Sequence, residues 1–203
     1  MDTRDWGRNL SRRAMLANVV GLVASLRGAP ALAHVGRFAP AAAPKWDDRF
    51  ELVLDFEIAQ PNGGRSNRPY VAVWVEDAAG LPVRTLSLWV DASRGGSRWI
   101  RDLRRWFRNE QARSAASGGD LVAAISSATR RPGRYSLVWD GRNDAGQPVD
   151  QGVFFICIET ARENGPYQLL RQDFTFAAEP FRAEIGRNVE IAGASVEYRI
   201  KAA

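Results

Sequence analysis

The segment FELVLDFEI at residues 50–58 alternates apolar side chains with charged or smaller ones at every second position. Period-two alternation is typical of a β-strand that buries one face and exposes the other. The outward face would carry Glu51, Asp55 and Glu57. These carboxylates could form a catalytic pair, but the simpler interpretation is the solvated charge of an exposed sheet face. A chain built from several such runs must fold largely as β-sheet.

Comparable runs recur along the chain, separated by segments rich in Gly, Pro, Asn and Asp, which favour turns. Only one region changes to helical spacing, at residues 97–112, where Trp106 and Phe107 fall among several arginines. Those arginines could form an anion-binding face or a solvated helix surface over an apolar side. We therefore predict an all-β, immunoglobulin-like β-sandwich of about seven to nine strands with one short helix inserted between strands. The further strand segments are residues 70–76, 83–90, 134–140, 153–159, 167–176, 181–185 and 196–200.

The turn-rich sequence GRNDAGQPVDQG joins the strand segments 134–140 and 153–159, and we predict a central hairpin there. Trp-Asp-Gly at 139–141, Asp-x-Gly at 144–146, Pro-Val at 148–149 and Gly-Val-Phe at 152–154 resemble the immunoglobulin-like domain of flagellar hook-capping proteins. The same connection carries oxygen ligands that could hold calcium. However, Arg142 interrupts their spacing and no distal Glu follows, so Asx turns are the alternative interpretation. The four ligand candidates are Asp140, Asn143, Asp144 and Asp150.

The amino-terminal residues 1–33 have the order of an export signal. Ser11-Arg12-Arg13 begins a sequence that resembles the twin-arginine motif, and an apolar run at residues 14–26 follows. Ala31 and Ala33 are the small residues that a signal peptidase requires, so cleavage is expected after Ala33. We predict a twin-arginine signal peptide at 1–33, a flexible lead-in at 34–47 and a β-sandwich domain at 48–203, in a periplasmic protein peripheral to the membrane at most.

The counts of charged residues, cysteine and histidine exclude several kinds of site. Residues 1–33 hold five arginines and two aspartates, so their removal lowers the formal net charge from +5 to +2, and no nucleic-acid role is indicated. Cys157 is the single cysteine and lies in an apolar strand, which predicts a buried, inert thiol. His34 is the single histidine, so a Ser-His-Asp triad and a His-based metal site are both disfavoured. We expect no metal and no enzymatic activity.

Four segments occur in order along the domain: RPYVAVWVED at 68–77, LRRW at 103–106, ATRRPGRYSLVWDG at 128–141 and EPF at 179–181. Their order and spacing resemble a family of uncharacterised bacterial periplasmic proteins, a domain of unknown function. Members of such families tend to be encoded near FAD:protein FMN transferases and PepSY-type membrane reductases. The resemblance therefore implies a flavin-linked redox system with these two proteins as partners.

The transferases attach FMN through a phosphodiester to the last residue of an Asp-x-x-Ser/Thr-Gly-Ala-Thr motif. Ser126-Ser127-Ala128-Thr129 aligns with the end of that motif, so the resemblance makes Thr129 the candidate attachment residue. Arg130 and Arg131 would pair with the phosphate, and exposed Trp or Tyr side chains could stack on the flavin. The sequence departs from the motif at two positions, with Ser127 in place of Gly and Ala123 in place of Asp.

Two functional hypotheses follow. In the first, the protein is an accessory or electron carrier of a periplasmic flavin-linked redox system, with FMN covalently attached at Thr129. In the second, it is a cofactor-free immunoglobulin-like binding or structural module that docks a membrane or periplasmic partner.

Overall fold

A computed structural model describes residues 42–60, 67–90 and 96–202. The expected signal peptide, its cleavage site, His34 and most of the lead-in lie outside the described residues. No helix in the described ranges is long and apolar enough to cross a bilayer. The strands are β1 Phe50–Ile58, β2 Tyr70–Asp77, β3 Pro82–Trp89, β4 Ser126–Ser127, β5 Gly133–Trp139, β6 Gly152–Ala161, β7 Tyr167–Phe176, β8 Phe181–Gly186 and β9 Ile191–Ile200; the helices are a 3-10 helix Gly96–Asp102, α1 Arg104–Ser117 and α2 Leu121–Ile125.

The strands form two sheets that pack face to face. The four-stranded sheet has the order β5-β1-β9-β8, and the five-stranded sheet has the order β4-β3-β2-β6-β7. All neighbours are antiparallel except β3 and β4, which run parallel. The prediction of an all-β sandwich with helix inserted between strands is confirmed.

The predicted central hairpin is wrong. β5 pairs with β1 in the four-stranded sheet, whereas β6 pairs with β2 and β7 in the five-stranded sheet. The turn-rich connection after Trp139 therefore passes from one sheet to the other. The burial patterns differ accordingly, because β5 alternates between half-buried and exposed residues, while β6 is buried continuously from Ile156 to Ala161. A strand covered on both faces reads as a continuous apolar run.

The helices cover the outer face of the five-stranded sheet. Along β2, Val71, Val73 and Val75 face the core between the sheets, together with residues of β1 and β9. Ala72 and Trp74 face the other way and form a second core with residues of the 3-10 helix and α1. α1 extends to Ser117, beyond the predicted helix at 97–112. Other buried residues of this second core are Leu88, Ile100, Leu103, Trp106 and Cys157.

Trp46, which precedes β1, closes one end of the core between the two sheets, which we call the main core. Its amide donates to the carbonyl of Val149 at 2.8 Å, and its indole Nε1 donates to the carbonyl of Phe50 at 3.2 Å. The indole lies against the ring of Trp139, with centroids 4.7 Å apart. Gly141 makes this packing possible, since a Cβ there would lie 2.1 Å from Trp46 ring atoms.

Gly141→Ala is expected to lower the free energy of unfolding by about 3 kcal/mol. A positive φ costs an L-residue about 1–2 kcal/mol, and the overpacked Trp46 adds about 1–3 kcal/mol. Gly146→Ala is the matched control, because Gly146 has the same φ of 76° and a Cβ added there would meet no atom within 4 Å. Chemical denaturation measures both variants, and equal losses of stability would contradict the role assigned to Trp46 packing.

Candidate functional site

Thr129 lies on the connection that carries the chain from one sheet to the other. Upstream, the two residues of β4 pair with the end of β3, with Ser126 opposite Leu88 and Ser127 opposite Trp89. Downstream, β5 begins at Gly133 in the other sheet. Between them the chain has no regular secondary structure, which leaves Thr129 on an open segment.

The hydroxyls of Ser127 and Thr129 have different environments. The Ser127 hydroxyl donates to the carbonyl of Leu88 at 3.4 Å and so helps to hold β4 in place. The Thr129 hydroxyl makes no hydrogen bond to any described residue. Thr129 itself is half-buried, and its neighbours Ala128 and Arg130 are exposed. Of these two hydroxyls, only that of Thr129 is available for modification without the loss of a protein contact.

Three arginines surround this segment. Arg68 donates from Nη1 to the carbonyl of Thr129 at 3.3 Å, although the two residues are far apart in the sequence. The Arg130 guanidinium lies over the Trp89 ring at 4.6 Å and near the Tyr135 ring at 5.4 Å. Arg131 is exposed, and its carbonyl accepts a 2.6 Å hydrogen bond from the hydroxyl of Tyr135. The sequence prediction missed Arg68, because no local pattern links it to Thr129.

The residues around Thr129 fit the phosphate end of FMN better than its ring. The free hydroxyl and the arginine side chains suit a phosphodiester, whose negative charge guanidinium groups bind well. Trp89, the indole closest in register to this segment, is fully buried and already covered by Arg130. Trp89 is therefore not an exposed indole on which a flavin could stack.

In the connection between β5 and β6, Asp140 and Asn143 form turns, as the Asx-turn interpretation expects, whereas Asp144 and Asp150 contact residues distant in the sequence. Asn143 Oδ1 accepts from the amides of Ala145 and Gln147, and Asp144 Oδ1 accepts from the amide of Thr85 at 3.1 Å. Asp140 accepts from the amide of its neighbour Arg142, and Asp150 pairs with Lys45. Within the described ranges, no cluster of three His, Cys, Asp or Glu side chains is placed to bind a metal ion.

A groove of about 970 Å³ lies between the β2–β3 turn, the segment that joins α1 to α2 and the β5–β6 connection. Its carboxylates have structural partners. Asp77 accepts from the amides of Ala79 and Leu81, and Asp120 accepts from the amide of Ala123 at the start of α2. Burial raises the pKa of Asp144, although its contacts with Thr85 and Arg84 oppose the shift. The fourth carboxylate, Asp150, pairs with Lys45. The groove therefore offers no carboxylate that lacks a role in the fold.

Two carboxylates that sequence reasoning did not single out lie fully buried beneath α1. Glu76 on β2 accepts from Arg105 in two hydrogen bonds of 2.8 and 2.7 Å, and from Arg171 at 2.9 Å. The indole of Trp74 and the side-chain amide of Asn109 also donate to it, each at 3.0 Å. Its location in an alternating strand gave no signal for this role, because the strand pattern alone does not show that a helix covers the residue.

Glu159 on β6 binds the first turn of α1. Its carboxylate accepts from the backbone amides of Arg105 and Trp106, each at 2.8 Å. These amides have no partner within the helix, and a negative charge at this end is also favoured by the helix dipole. The residue before α1, Leu103, provides no side-chain cap at this end. A strand residue thus supplies the cap that the local sequence lacks.

Cys157 lies between these two carboxylates on the covered face of the sheet and is fully buried, as predicted. Burial, together with the nearby charge of Glu76, raises the pKa of its thiol well above the usual value. The thiol is therefore protonated at neutral pH, which agrees with an inert packing role.

We expect the loss of stability caused by Glu76→Gln and the loss caused by Glu159→Gln to change with pH in opposite directions. Burial raises the pKa of Glu76, but hydrogen bonds from Arg105, Arg171 and Trp74 outweigh this and lower it below the usual value. Its stabilisation is therefore complete above the unfolded-state pKa of about 4.3 and is lost as the pH falls. Glu76→Gln should cost about 3 kcal/mol at pH 7, and the difference from wild type should shrink toward pH 3.

Burial raises the pKa of Glu159 even though Tyr167 and the α1 amides oppose the shift. Its stabilisation is largest below about pH 4.3 and declines as the pH rises through the higher folded-state pKa. The stability difference between wild type and Glu159→Gln should therefore shrink as the pH rises. Denaturant titrations from pH 3 to pH 7 measure both differences, and slopes of the same sign would contradict this assignment.

The family to which the chain belongs follows from a comparison with family models. A model described as "Predicted periplasmic protein (DUF2271)" matches residues 51–192. No curated protein and no solved structure matches the chain. The matched span includes both buried carboxylates, α1 and the Thr129 segment, and it confirms the resemblance predicted from the sequence. The chain belongs to the DUF2271 family of predicted periplasmic proteins.

Proposed function

We propose that this periplasmic protein is an electron carrier or accessory of a flavin-linked redox system, with FMN attached covalently to Thr129. The observation that carries the proposal is the Thr129 hydroxyl, which lacks a hydrogen-bond partner among the described residues and lies on an open connection. The neighbouring Ser127 hydroxyl is already bonded to the backbone of β3. The position expected from the motif thus has a hydroxyl without a hydrogen-bond partner in the described part of the chain.

The attachment reaction requires FAD and a partner transferase. The Thr129 oxygen attacks the phosphorus atom on the riboflavin side of the FAD pyrophosphate, and the bond to the AMP portion breaks. AMP leaves with the bridging oxygen, and the hydroxyl proton passes to a base of the transferase. The product is a phosphodiester between Thr129 and riboflavin, and no oxidant or reductant is consumed.

The protein's own residues would hold the phosphate and leave the redox chemistry to the flavin. Arg68 already contacts the backbone of Thr129, and Arg130 and Arg131 follow it directly in the chain. Guanidinium groups bind phosphate oxygens in paired, charge-assisted hydrogen bonds. Bound FMN would supply electron transfer, chemistry for which the chain offers no redox-active disulfide because it has a single cysteine. The protein itself would not be an enzyme.

The two residues that depart from the motif lie in regular secondary structure. Ala123, at the Asp position, lies in α2, and Asp120 is occupied in capping that helix. Ser127, at the Gly position, extends a strand pair with β3. A transferase that modifies Thr129 must therefore recognise a segment that a short helix and a short strand precede. We propose that export follows the twin-arginine route with cleavage after Ala33, and that a membrane reductase is the electron donor.

We expect protein purified from its native periplasm to be yellow and heavier by one FMN phosphodiester. Thr129→Ala should remove both the added mass and the flavin absorbance. Ser127→Ala, which deletes the adjacent hydroxyl, should retain them, because that hydroxyl serves only the β3–β4 contact. Intact mass spectrometry and a visible spectrum measure these outcomes. A colourless wild-type protein of unmodified mass would overturn the proposal and leave the cofactor-free binding or structural module.

A further inference from the structure

The helical layer presents four arginines to solvent: Arg98 and Arg101 on the 3-10 helix, and Arg104 and Arg108 on α1. All four are exposed, and we refer to them as the arginine face. Within each helix the two arginines are three or four residues apart, so they lie on the same side of that helix. The side chains that α1 directs inward, such as Trp106, belong to the second core.

The arginine face has Asp102 of the 3-10 helix beside it in the sequence. None of its four guanidinium groups forms an ion pair with a described carboxylate. By contrast, the other two arginines of α1 are paired, Arg105 with Glu76 at 2.7 Å and Arg113 with Glu110 at 2.7 Å. The helix thus uses its inward arginines to bind the sheet and its own acidic residue, and leaves the outward ones available for an anionic partner.

Aromatic rings lie between these arginines. The Arg98 guanidinium lies over the Trp99 ring at 4.4 Å, and the Arg104 guanidinium lies over the Tyr167 ring at 4.7 Å. Trp99 also stacks on Tyr70, with ring centroids 6.2 Å apart. A guanidinium that rests on a ring keeps its N–H edges free to bind phosphate oxygens. Among the described tryptophans, Trp99 is the one that is not buried.

The opposite side of the sandwich has the opposite charge. The outer face of the four-stranded sheet alternates with the residues that β1, β5, β8 and β9 bury in the main core. Carboxylates outnumber arginines there, so the molecule carries a positive helical side and a negative sheet side. The charged residues of this outer sheet face are Glu51, Asp55, Glu57, Glu184, Glu197, Arg134, Arg182 and Arg199.

We propose that the arginine face docks the protein on an anionic lipid surface and binds the phosphodiester headgroups. Unpaired arginines supply the attraction, and partly exposed Trp and Tyr rings are the side chains that favour the boundary between headgroups and acyl chains. The negative sheet face would point away from the lipid. A protein of a periplasmic family works in a compartment bounded by membranes, so such a surface is within reach. The proposal does not depend on modification of Thr129.

The first test measures binding of the periplasm-purified protein to vesicles of equal parts phosphatidylglycerol and phosphatidylcholine. The double variant Arg101→Gln with Arg108→Gln removes two exposed arginines whose side chains make no hydrogen bond, ion pair or ring contact within the described residues. Each arginine near an anionic surface contributes roughly fivefold to binding, so the pair should weaken binding about 25-fold. Pure phosphatidylcholine vesicles and high salt should both abolish binding of the wild type.

The matched control is Arg182→Gln with Arg187→Gln, which removes the same charge from two exposed residues on and after β8. It should bind anionic vesicles within about twofold of wild type, since these residues lie outside the lipid contact. Equal weakening of both double variants would overturn the proposal, because net charge alone would then account for binding. The proposal would also be overturned if the wild type did not bind anionic vesicles, even if it bound an acidic protein.

The second test uses the position of Trp99. Vesicles whose lipids carry bromine near the headgroup end of the acyl chain quench the fluorescence of an indole that contacts them. We expect quenching in the wild type and its loss in Trp99→Phe, because the other described tryptophans are buried. Unquenched wild-type fluorescence under conditions where the protein binds would show that another face contacts the lipid and would overturn the proposal.

Discussion

The attachment of α1 to the five-stranded sheet depends on two carboxylates that have no access to water. Glu159 binds the free amides of the first turn, and Glu76 binds Arg105 on α1 and Arg171 on β7. A buried charge such as that of Glu76 is costly unless it is paired and hydrogen-bonded, and here donors on the helix, on the sheet and on an indole stabilise it. Arg105 is directed to Glu76, while the neighbouring Trp106 packs into the second core.

The same attachment explains the route of the chain to Thr129. β4 runs parallel to β3, and parallel neighbours require a crossover connection rather than a tight turn. The 3-10 helix, α1 and α2 form that crossover and return the chain to the edge of the sheet at Ser126. The Thr129 segment then leaves the five-stranded sheet for β5. The location of the proposed attachment site is thus a consequence of the helical layer.

The outer side of the helical layer carries the arginine face. Arg105 is directed to Glu76, whereas the exposed Arg101, Arg104 and Arg108 form no ion pair in the described part of the chain. The buried Glu76 contacts attach α1 to the sheet, and the arginine face lies exposed on the other side of the helical layer.

The local sequence determined most strands of this protein. The strand patterns predicted β1 and β7 with their observed bounds and placed β2, β3 and β5 within one or two residues. In β1 and β5 the pattern is the period-two alternation of a half-covered strand. The local sequence also indicated the buried Cys157 and the Asx turn of Asn143, whereas Asp144 binds the amide of Thr85 on β3 instead. Tertiary structure alone decided that β5 and β6 belong to different sheets, that β4 exists, that Arg68 reaches Thr129 and that Glu76 is buried. Each of these features depends on which segments distant in the sequence come into contact. Local periodicity indicates only whether the face of a strand is covered, not which residues cover it.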